Sequence, residues 1–183
     1  LKMASLPAFN DDAGTVVLVS NNLRIDQLNY TDKMHFKLIK EAEGVSLERS
    51  SFSRPTNDPG NFRSATASVG FATPGSKNSQ HSDDIATEEE LSLMSKTFSP
   101  DNDGFEDVLQ INYRFAKAGL VANLTIYNDR GVLIRKLIKN QTLEPMGSFN
   151  WDGFNEFNER ATVGIYMVYA EFFDSNGQVK KYR

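Results

Sequence analysis

The residues best suited to chemistry lie in the acidic stretch SPDNDGFED, at positions 99–107. Asp101, Asp103 and Asp107 supply carboxylates, and calcium prefers such oxygen ligands. Calcium loops also use a backbone carbonyl, which the peptide of Phe105 can supply. The spacing therefore predicts a calcium site whose ligands are Asp101, Asp103, Phe105 and Asp107.

A turn without a metal is the alternative interpretation of this stretch. Asp and Asn are common in turns because their side chains hydrogen-bond to nearby backbone groups. Gln110 stands where an EF-hand loop has its bidentate Glu, and no helical pattern flanks the stretch. Crowded carboxylates nevertheless repel one another unless solvent or a cation screens them. Both interpretations stay open, and if calcium binds we expect a structural role.

The charge of the chain is concentrated around the same stretch. The 183 residues carry a net charge of −4, and residues 81–107 alone contain nine Asp or Glu and one Lys. No cluster of basic residues appears elsewhere, which argues against a nucleic-acid-binding protein. No apolar run approaches the ~20 residues that a membrane-spanning helix requires.

Residue types that support common catalytic mechanisms are scarce. The chain has no Cys, which excludes disulfides, Cys-based zinc sites and thiol catalysis. Its two His, His35 and His81, are too few for a multi-His metal centre. Nucleophile-elbow, phosphate-loop and dinucleotide motifs are missing, and the acidic pair Asp83-Asp84 is interpreted as solvated. We therefore predict a protein without enzymatic activity and without catalytic residues.

The second half of the sequence has the pattern of antiparallel strands. Residues 107–115, DVLQINYRF, alternate between apolar and polar side chains. Residues 164–173, GIYMVYAEFF, are interpreted as a long strand, with Tyr166, Val168, Ala170 and Phe172 on one face and Ile165, Met167 and Tyr169 on the other. Two further apolar segments flank a turn at residues 128–131, NDRG. No amphipathic helix competes with these strands. We predict an antiparallel β-sandwich with Trp151 in its core.

Predicted strands also open the first half. TVVLVS (15–20) and LRIDQLNY (23–30) are joined by Asn21-Asn22, and Asn tolerates the positive φ of a tight hairpin. Pro and Gly interrupt residues 54–80, which form a long irregular stretch. Large apolar side chains in and beside it favour a wrap over a core rather than a free linker; they are Phe52, Phe62, Val69 and Phe71.

Four motifs in the second half occur together in a fixed order. They are FSPDNDGFEDVLQINY, LTIYNDRGVLIRKL, FNWDG and VGIYMVYAEFFDSNGQVKK. From residue 91 to the end, this half resembles the FlgD-like Ig-like domain, first named in the flagellar hook-capping protein. The resemblance implies a seven-stranded Ig-like sandwich in a bacterial surface or secreted protein.

The first half resembles the C-terminal part of a lamin-tail domain. The motif that carries this resemblance is GVSLERSSFSRPTNDPGNFRSATASVGFATPGSKNSQ, at residues 44–80. It implies an Ig-like sandwich wrapped by the irregular stretch, with N-terminal strands missing because lamin-tail domains usually run longer. Together the resemblances predict an all-β chain of two tandem Ig-like antiparallel β-sandwiches. The predicted divisions are a lamin-tail-like domain at 1–80, an acidic linker with the next domain's first strand at 81–96, and a FlgD-like domain at 97–183.

The functional expectation is a non-catalytic structural or adhesion module, stiffened by calcium at the domain junction. It would lie at the bacterial cell surface or outside the cell. Two alternatives stay open: an accessory C-terminal region of a larger secreted hydrolase, and a C-terminal export or sorting domain. The sequence identifies neither a partner protein or cell-surface polymer nor an oligomeric state.

Overall fold

The computed structural model describes residues 8–37, 39, 42–83 and 90–183, which are almost entirely antiparallel strands joined by turns. In the described part of the chain, helical structure is limited to two short 3-10 turns, Asp32–Met34 and Ala67–Val69. This confirms the predicted all-β antiparallel class. The strands are β1 (Ala13–Ser20), β2 (Leu23–Thr31), β3 (Leu47–Arg49), β4 (Phe62–Ser64), β5 (Glu90–Leu93), β6 (Leu109–Arg114), β7 (Val121–Asn128), β8 (Leu133–Thr142), β9 (Met146–Trp151), β10 (Tyr166–Phe173) and β11 (Val179–Tyr182).

The second half is a sandwich of two sheets. One sheet has the order β5-β6-β9 and the other has the order β11-β10-β7-β8. All neighbouring strands in both sheets are antiparallel. These strands, seven in number, agree with the Ig-like sandwich that the sequence predicted.

Alternating side chains build the core between the two sheets. In β6, Leu109, Ile111 and Tyr113 are buried, while the intervening side chains are less buried. In β10, Ala170 and Phe172 are buried and lie on the face that also contains Tyr166 and Val168. Successive residues of a strand point to opposite faces, so the alternating pattern of β6 directly selects its core residues.

Trp151 lies at the centre of this core and is fully buried, as predicted. Its ring centroid lies 5.3 Å from that of Phe98 and 5.0 Å from that of Tyr166. Its indole Nε1–H donates a hydrogen bond of 2.9 Å to the carbonyl oxygen of Phe154. The indole therefore has apolar neighbours and a partner for its polar atom.

The first half contains two separate two-stranded sheets, β1-β2 and β3-β4. Asn21 and Asn22 join β1 to β2 with φ angles of 50° and 60°, which confirms the predicted hairpin. Several apolar side chains of this hairpin are exposed, among them Leu18 and Leu23. The hairpin therefore contributes little to an apolar core.

Polar side chains form the centre of the first half. The carboxylate of Glu48 is buried and accepts hydrogen bonds from the hydroxyl of Thr73, the hydroxyl of Ser79 (2.6 Å) and the backbone N–H of Gln80 (3.2 Å). Asn61 is also buried, and its side chain accepts a hydrogen bond of 2.9 Å from the N–H of Ser51. Hydrogen bonds between these buried side chains and the neighbouring turns thus hold the irregular stretch in place.

The predicted apolar wrap is wrong for two of its four aromatic and aliphatic residues. Phe52 and Phe71 are exposed, whereas Phe62 and Val69 are half-buried. Turns leave backbone N–H and C=O groups without strand partners, and polar side chains satisfy those groups when they are buried. This accounts for a polar interior in a stretch whose composition indicated an apolar one.

The two halves meet at a junction formed by the end of the irregular stretch. The side chain of Gln80 is fully buried; its Oε1 accepts from the N–H of Gly119 (2.7 Å) and its Nε2 donates to the carbonyl of Leu143 (3.2 Å). The hydroxyl of Ser68 donates to the carboxylate of Glu144 over 2.6 Å. These contacts join the first half to the loops before β7 and after β8.

We expect Trp151→Ala to destabilise the second half by about 3–5 kcal/mol, because it leaves a large cavity in a dense core. Urea denaturation followed by circular dichroism measures the loss. The matched control is Phe157→Ala, which removes a ring that is 82% exposed and should cost less than about 0.5 kcal/mol. Native tryptophan emission at the wavelength of water-exposed indole would contradict the burial of Trp151.

We expect Gln80→Ala to weaken the junction by about 1–3 kcal/mol, because the Gly119 N–H and the Leu143 carbonyl lose a buried partner. Hydrogen exchange of the Gly119 amide should accelerate about tenfold or more. Gln178→Ala removes an exposed glutamine and should leave this exchange rate unchanged. Equal Gly119 exchange in the wild type and in Gln80→Ala would show that Gln80 does not hold the two halves together.

Candidate functional site

The acidic loop, defined as residues 99–107, precedes β6 in the second half. Three of its residues have a positive φ: Asn102 (69°), Gly104 (90°) and Glu106 (50°). Gly and Asn adopt this left-handed conformation most readily, so the local sequence favours two of the three turns. The N–H of Ser99 donates to the carbonyl of Glu106 over 2.9 Å and closes the loop.

Each predicted carboxylate accepts hydrogen bonds from the loop itself. The carboxylate of Asp107 accepts from the N–H groups of Asn102 (2.5 Å) and Gly104 (2.8 Å). Asp103 accepts from the N–H of Phe105 over 2.8 Å. Asp101 accepts from the hydroxyl of Ser99 (3.1 Å) and from the N–H of Asp103 (3.3 Å). The loop therefore has the hydrogen bonds of an Asx-rich turn.

The fold brings the three predicted carboxylates together. One carboxylate oxygen from each of Asp101, Asp103 and Asp107 lies within 4.8 Å of the other two. Oxygens that share one calcium ion at about 2.3–2.6 Å are separated by no more than about 5 Å. Asp101 and Asp103 are exposed and Asp107 is half-buried, so a cation could reach them from solvent. The spacing fits a single bound cation.

Phe105, the fourth predicted ligand, lies in the same loop with its ring exposed. Coordination by its carbonyl oxygen stays a prediction. The hydrogen bonds inside the loop do not decide between a cation site and a plain turn, because each carboxylate oxygen has two lone pairs and can accept an N–H while it coordinates an ion. The geometry accommodates both interpretations that the sequence left open.

The start of the acidic loop is anchored to the core of the sandwich. The guanidinium of Arg160 donates to the carbonyl oxygen of Pro100. Gly153 packs so closely on Pro100 that an added Cβ would lie 2.7 Å from the proline Cγ. Phe98, which directly precedes the loop, stacks against Trp151. Core packing therefore holds one side of the loop in place.

The acidic loop does not lie at the domain junction, so the predicted location of calcium stiffening is wrong. The acidic loop precedes the first residue of β6, and the last residue of β6, Arg114, leads to the junction loop at 119–120. Strand pairing places Glu90 opposite Arg114 and Leu93 opposite Ile111, so β5 runs from the junction end of the sheet toward the loop end. The length of β6, six residues, separates the two ends by about 20 Å. The chain crosses the sandwich once before it forms the loop, and the sequence pattern did not reveal that crossing.

The junction itself contains residues that sequence reasoning missed. Arg63 packs against Gly119, where an added Cβ would lie 2.9 Å from the arginine Cδ. Burial lowers the pKa of the Arg63 guanidinium, the charge of Arg54 acts in the same direction, and Asp174 opposes the shift. Neither Arg63 nor Gln80 stands in a recognisable motif, and no pattern in an irregular stretch indicates which polar residue will be buried.

The sandwich with its acidic loop is similar to a known family model. Residues 92–182 match the family model of the CHU_C Type IX secretion signal domain. The match begins within β5 and ends with β11, so it covers the acidic loop and both sheets of the sandwich. A type IX secretion signal domain implies a secreted or cell-surface protein, in agreement with the location that the sequence predicted.

Comparisons with solved structures and with curated proteins give weaker similarities or none. The crystal structure of FlgD from P. aeruginosa is similar with a TM-score of 0.39 and 14% sequence identity, over 54% of this chain and 73% of that chain. No curated protein matches the chain. The lamin-tail resemblance of the first half stays a prediction, because the family match begins after it. No helix in the described ranges has the length and apolar character needed to cross a membrane.

Proposed function

We propose that residues 92–182 serve as an export and sorting signal for type IX secretion and that the first half travels with them. The observation that carries this proposal is the family match over the whole sandwich. Among the functions that the sequence left open, the match favours the export or sorting domain over a purely structural or adhesive role.

The fold supports a signal that is recognised as a folded unit. The apolar core of the sandwich consists of residues from the second half, so this half has its own core. In the part of the chain that the structure describes, the first half contacts it at one end, through hydrogen bonds of Ser68 and Gln80 and through the packing of Arg63 on Gly119. A domain of this kind can present the same surface whatever polypeptide precedes it.

A fusion protein tests the proposal. Residues 90–183 are attached to the C-terminus of a reporter that is exported to the periplasm of a bacterium with a type IX secretion system. We expect the reporter at the cell surface or in the medium, measured by protease accessibility and by fractionation. The Trp151→Ala fusion is the matched control for the folded sandwich and should stay in the periplasm.

Two further strains make the test decisive. The reporter without residues 90–183 should stay in the periplasm, and so should the complete fusion in a strain that lacks the secretion system. Surface exposure of the reporter in either strain would contradict the proposed export function.

For the first half we propose a non-catalytic structural role in the exported protein. Its buried hydrogen-bonded centre around Glu48 and its contacts at the junction support a module held against the signal domain. An accessory region of a larger secreted hydrolase is compatible with the same export signal. The coding sequence upstream distinguishes the two, because a hydrolase domain there would favour the accessory role.

A structural calcium ion at the acidic loop is the second proposal. The clustering of Asp101, Asp103 and Asp107 supports it. Bound calcium would neutralise three neighbouring carboxylates and tie the start of the loop to the beginning of β6. It would stiffen the end of the sandwich remote from the junction.

We expect calcium to raise the melting temperature of the wild-type protein and Asp103→Ala to abolish this response. Calcium at about 100 times its dissociation constant adds ~2.7 kcal/mol to the folded state, and the variant should lose that increment. Melting curves with calcium and with chelator measure both effects. Asp129→Ala, in the exposed turn between β7 and β8, is the matched control and should retain the response.

A plain Asx-rich turn predicts a different result for the same variant. Asp103→Ala would then cost roughly 1 kcal/mol whether or not calcium is present. Equal calcium responses in the wild type and in Asp103→Ala would rule out a cation at the acidic loop.

A further inference from the structure

The buried hydrogen bonds of the first half have their centre at Glu48, whose side chain is only 4% exposed. Its Oε1 accepts from the hydroxyl of Thr73, and its Oε2 accepts from the hydroxyl of Ser79 (2.6 Å) and from the N–H of Gln80 (3.2 Å). In the described part of the chain, these side-chain hydrogen bonds of Glu48 all stay within the first half. The carboxylate therefore positions residues 79 and 80, at the end of the irregular stretch.

Two paths of hydrogen bonds lead from this carboxylate to the second half. The first runs through Gln80, whose fully buried side chain accepts from the N–H of Gly119 (2.7 Å) and donates to the carbonyl of Leu143 (3.2 Å). These two groups lie in the loops before β7 and after β8, which are joined by a hydrogen bond of 2.7 Å from the N–H of Leu143 to the carbonyl of Leu120. Gln80 therefore connects the polar centre of the first half to a linked pair of loops.

The second path starts at Ser79 and ends beside the first. The hydroxyl of Ser79 accepts from the N–H of the fully buried Thr66 over 3.1 Å, and the hydroxyls of Thr66 and Ser68 share a hydrogen bond of 2.7 Å. Ser68 then donates to the carboxylate of Glu144 over 2.6 Å. Both paths thus run from one buried carboxylate to residues 143–144 of the sandwich.

The groups that receive the Gln80 side chain select a particular chemistry. The N–H of Gly119 is a donor, the carbonyl of Leu143 is an acceptor, and both residues are buried. A primary amide has an acceptor oxygen and a donor NH2, so it satisfies both groups, whereas a carboxylate has no donor and an ammonium has no acceptor. A mismatched side chain would leave a buried N–H or C=O without a partner. We call the Gly119 N–H and the Leu143 carbonyl the amide socket.

We propose that the junction is a conformational interlock, in which Glu48 is the positioning residue and Gln80 couples the loops of the sandwich to the folded centre of the first half. Loss of order around Glu48 would withdraw Gln80 from the amide socket, although Glu48 itself bonds only within the first half. Buried hydrogen-bond networks act cooperatively in this way, because each bond holds in place the groups that make the next one. The inference holds whether or not the sandwich directs secretion.

Hydrogen exchange of two amides in the full 183-residue chain tests the interlock. The Gly119 amide reports on the amide socket, and the Ser51 amide, which donates to the side chain of the buried Asn61 over 2.9 Å, reports on a part of the first half outside both paths. Glu48→Ala should accelerate exchange at Gly119 about tenfold or more and change exchange at Ser51 less than about twofold. Asn61→Ala is the matched control and should accelerate exchange at Ser51 alone.

Ser79→Ala keeps the test decisive if the loss of the Glu48 carboxylate unfolds the first half. It removes a single hydroxyl, at the point where the two paths separate. We expect exchange at Gly119 to accelerate about threefold or more while the Ser51 amide stays at the wild-type rate. Ser82→Ala removes a half-buried hydroxyl outside both paths and should leave both amides unchanged.

A double-mutant cycle measures the coupling along the first path. In the Gln80→Ala background the amide socket has already lost its partner, so Ser79→Ala should change exchange at Gly119 less than about twofold. The two substitutions are therefore expected to be non-additive, although Ser79 does not contact the second half in the described part of the chain.

Gln80→Glu tests the chemistry of the amide socket at nearly constant side-chain size. At neutral pH a carboxylate oxygen would replace the amide NH2 and face the carbonyl of Leu143, where it has no proton to donate. We expect exchange at Gly119 to accelerate about tenfold and the melting temperature to fall.

Four results would each overturn the proposal. They are unchanged exchange at Gly119 in both Glu48→Ala and Ser79→Ala, equal acceleration of the Gly119 and Ser51 amides in Ser79→Ala, additive effects of Ser79→Ala and Gln80→Ala, and wild-type exchange in Gln80→Glu. The second result would show a general loosening of the first half in place of a specific path. Because no arm of this test measures secretion, its outcome is independent of the reporter fusions.

Discussion

Burial of Trp151 is the interaction on which the rest of the second half depends. Its ring lies between Phe98, which leads into the acidic loop, and Tyr166, where β10 begins. Its Nε1–H is bound by the carbonyl of Phe154, in the turn after β9. One side chain thus positions the start of the acidic loop, a connecting loop and the beginning of β10, because all three contact the same indole.

The two ends of the sandwich differ in what they contact. At one end, Gln80 and Arg63 attach the first half to the loops at residues 119–120 and 143–144. At the other end lies the acidic loop, next to Phe98 and Trp151. This separation leaves the second end accessible while the first half is attached.

The acidic segment at residues 81–107 is a single feature of the sequence but not of the fold. Asp83 binds back to the first half, where its carboxylate accepts from the N–H of Phe52 over 2.6 Å and from the hydroxyl of Ser53 over 3.2 Å. A side-chain hydrogen bond with Ser51, followed by those from Phe52 and Ser53, lowers the pKa of the Asp83 carboxyl, and desolvation opposes this shift. Asp101, Asp103 and Asp107 lie beyond β5 at the far end of the sandwich, so these three carboxylates are well separated from Asp83.

The sequence by itself determined what depends on neighbouring residues. Alternation selected the buried face of β6, Asn21-Asn22 specified the first hairpin, and the D-x-D-G-x-x-D spacing brought three carboxylates together, because each pattern acts within a few residues. Only the tertiary structure decided that Gln80 is buried, that the acidic loop lies away from the junction, and that Arg160 binds the carbonyl of Pro100. Partners for these groups come from segments remote in the sequence, and burial or charge complementarity exists only after those segments have packed together.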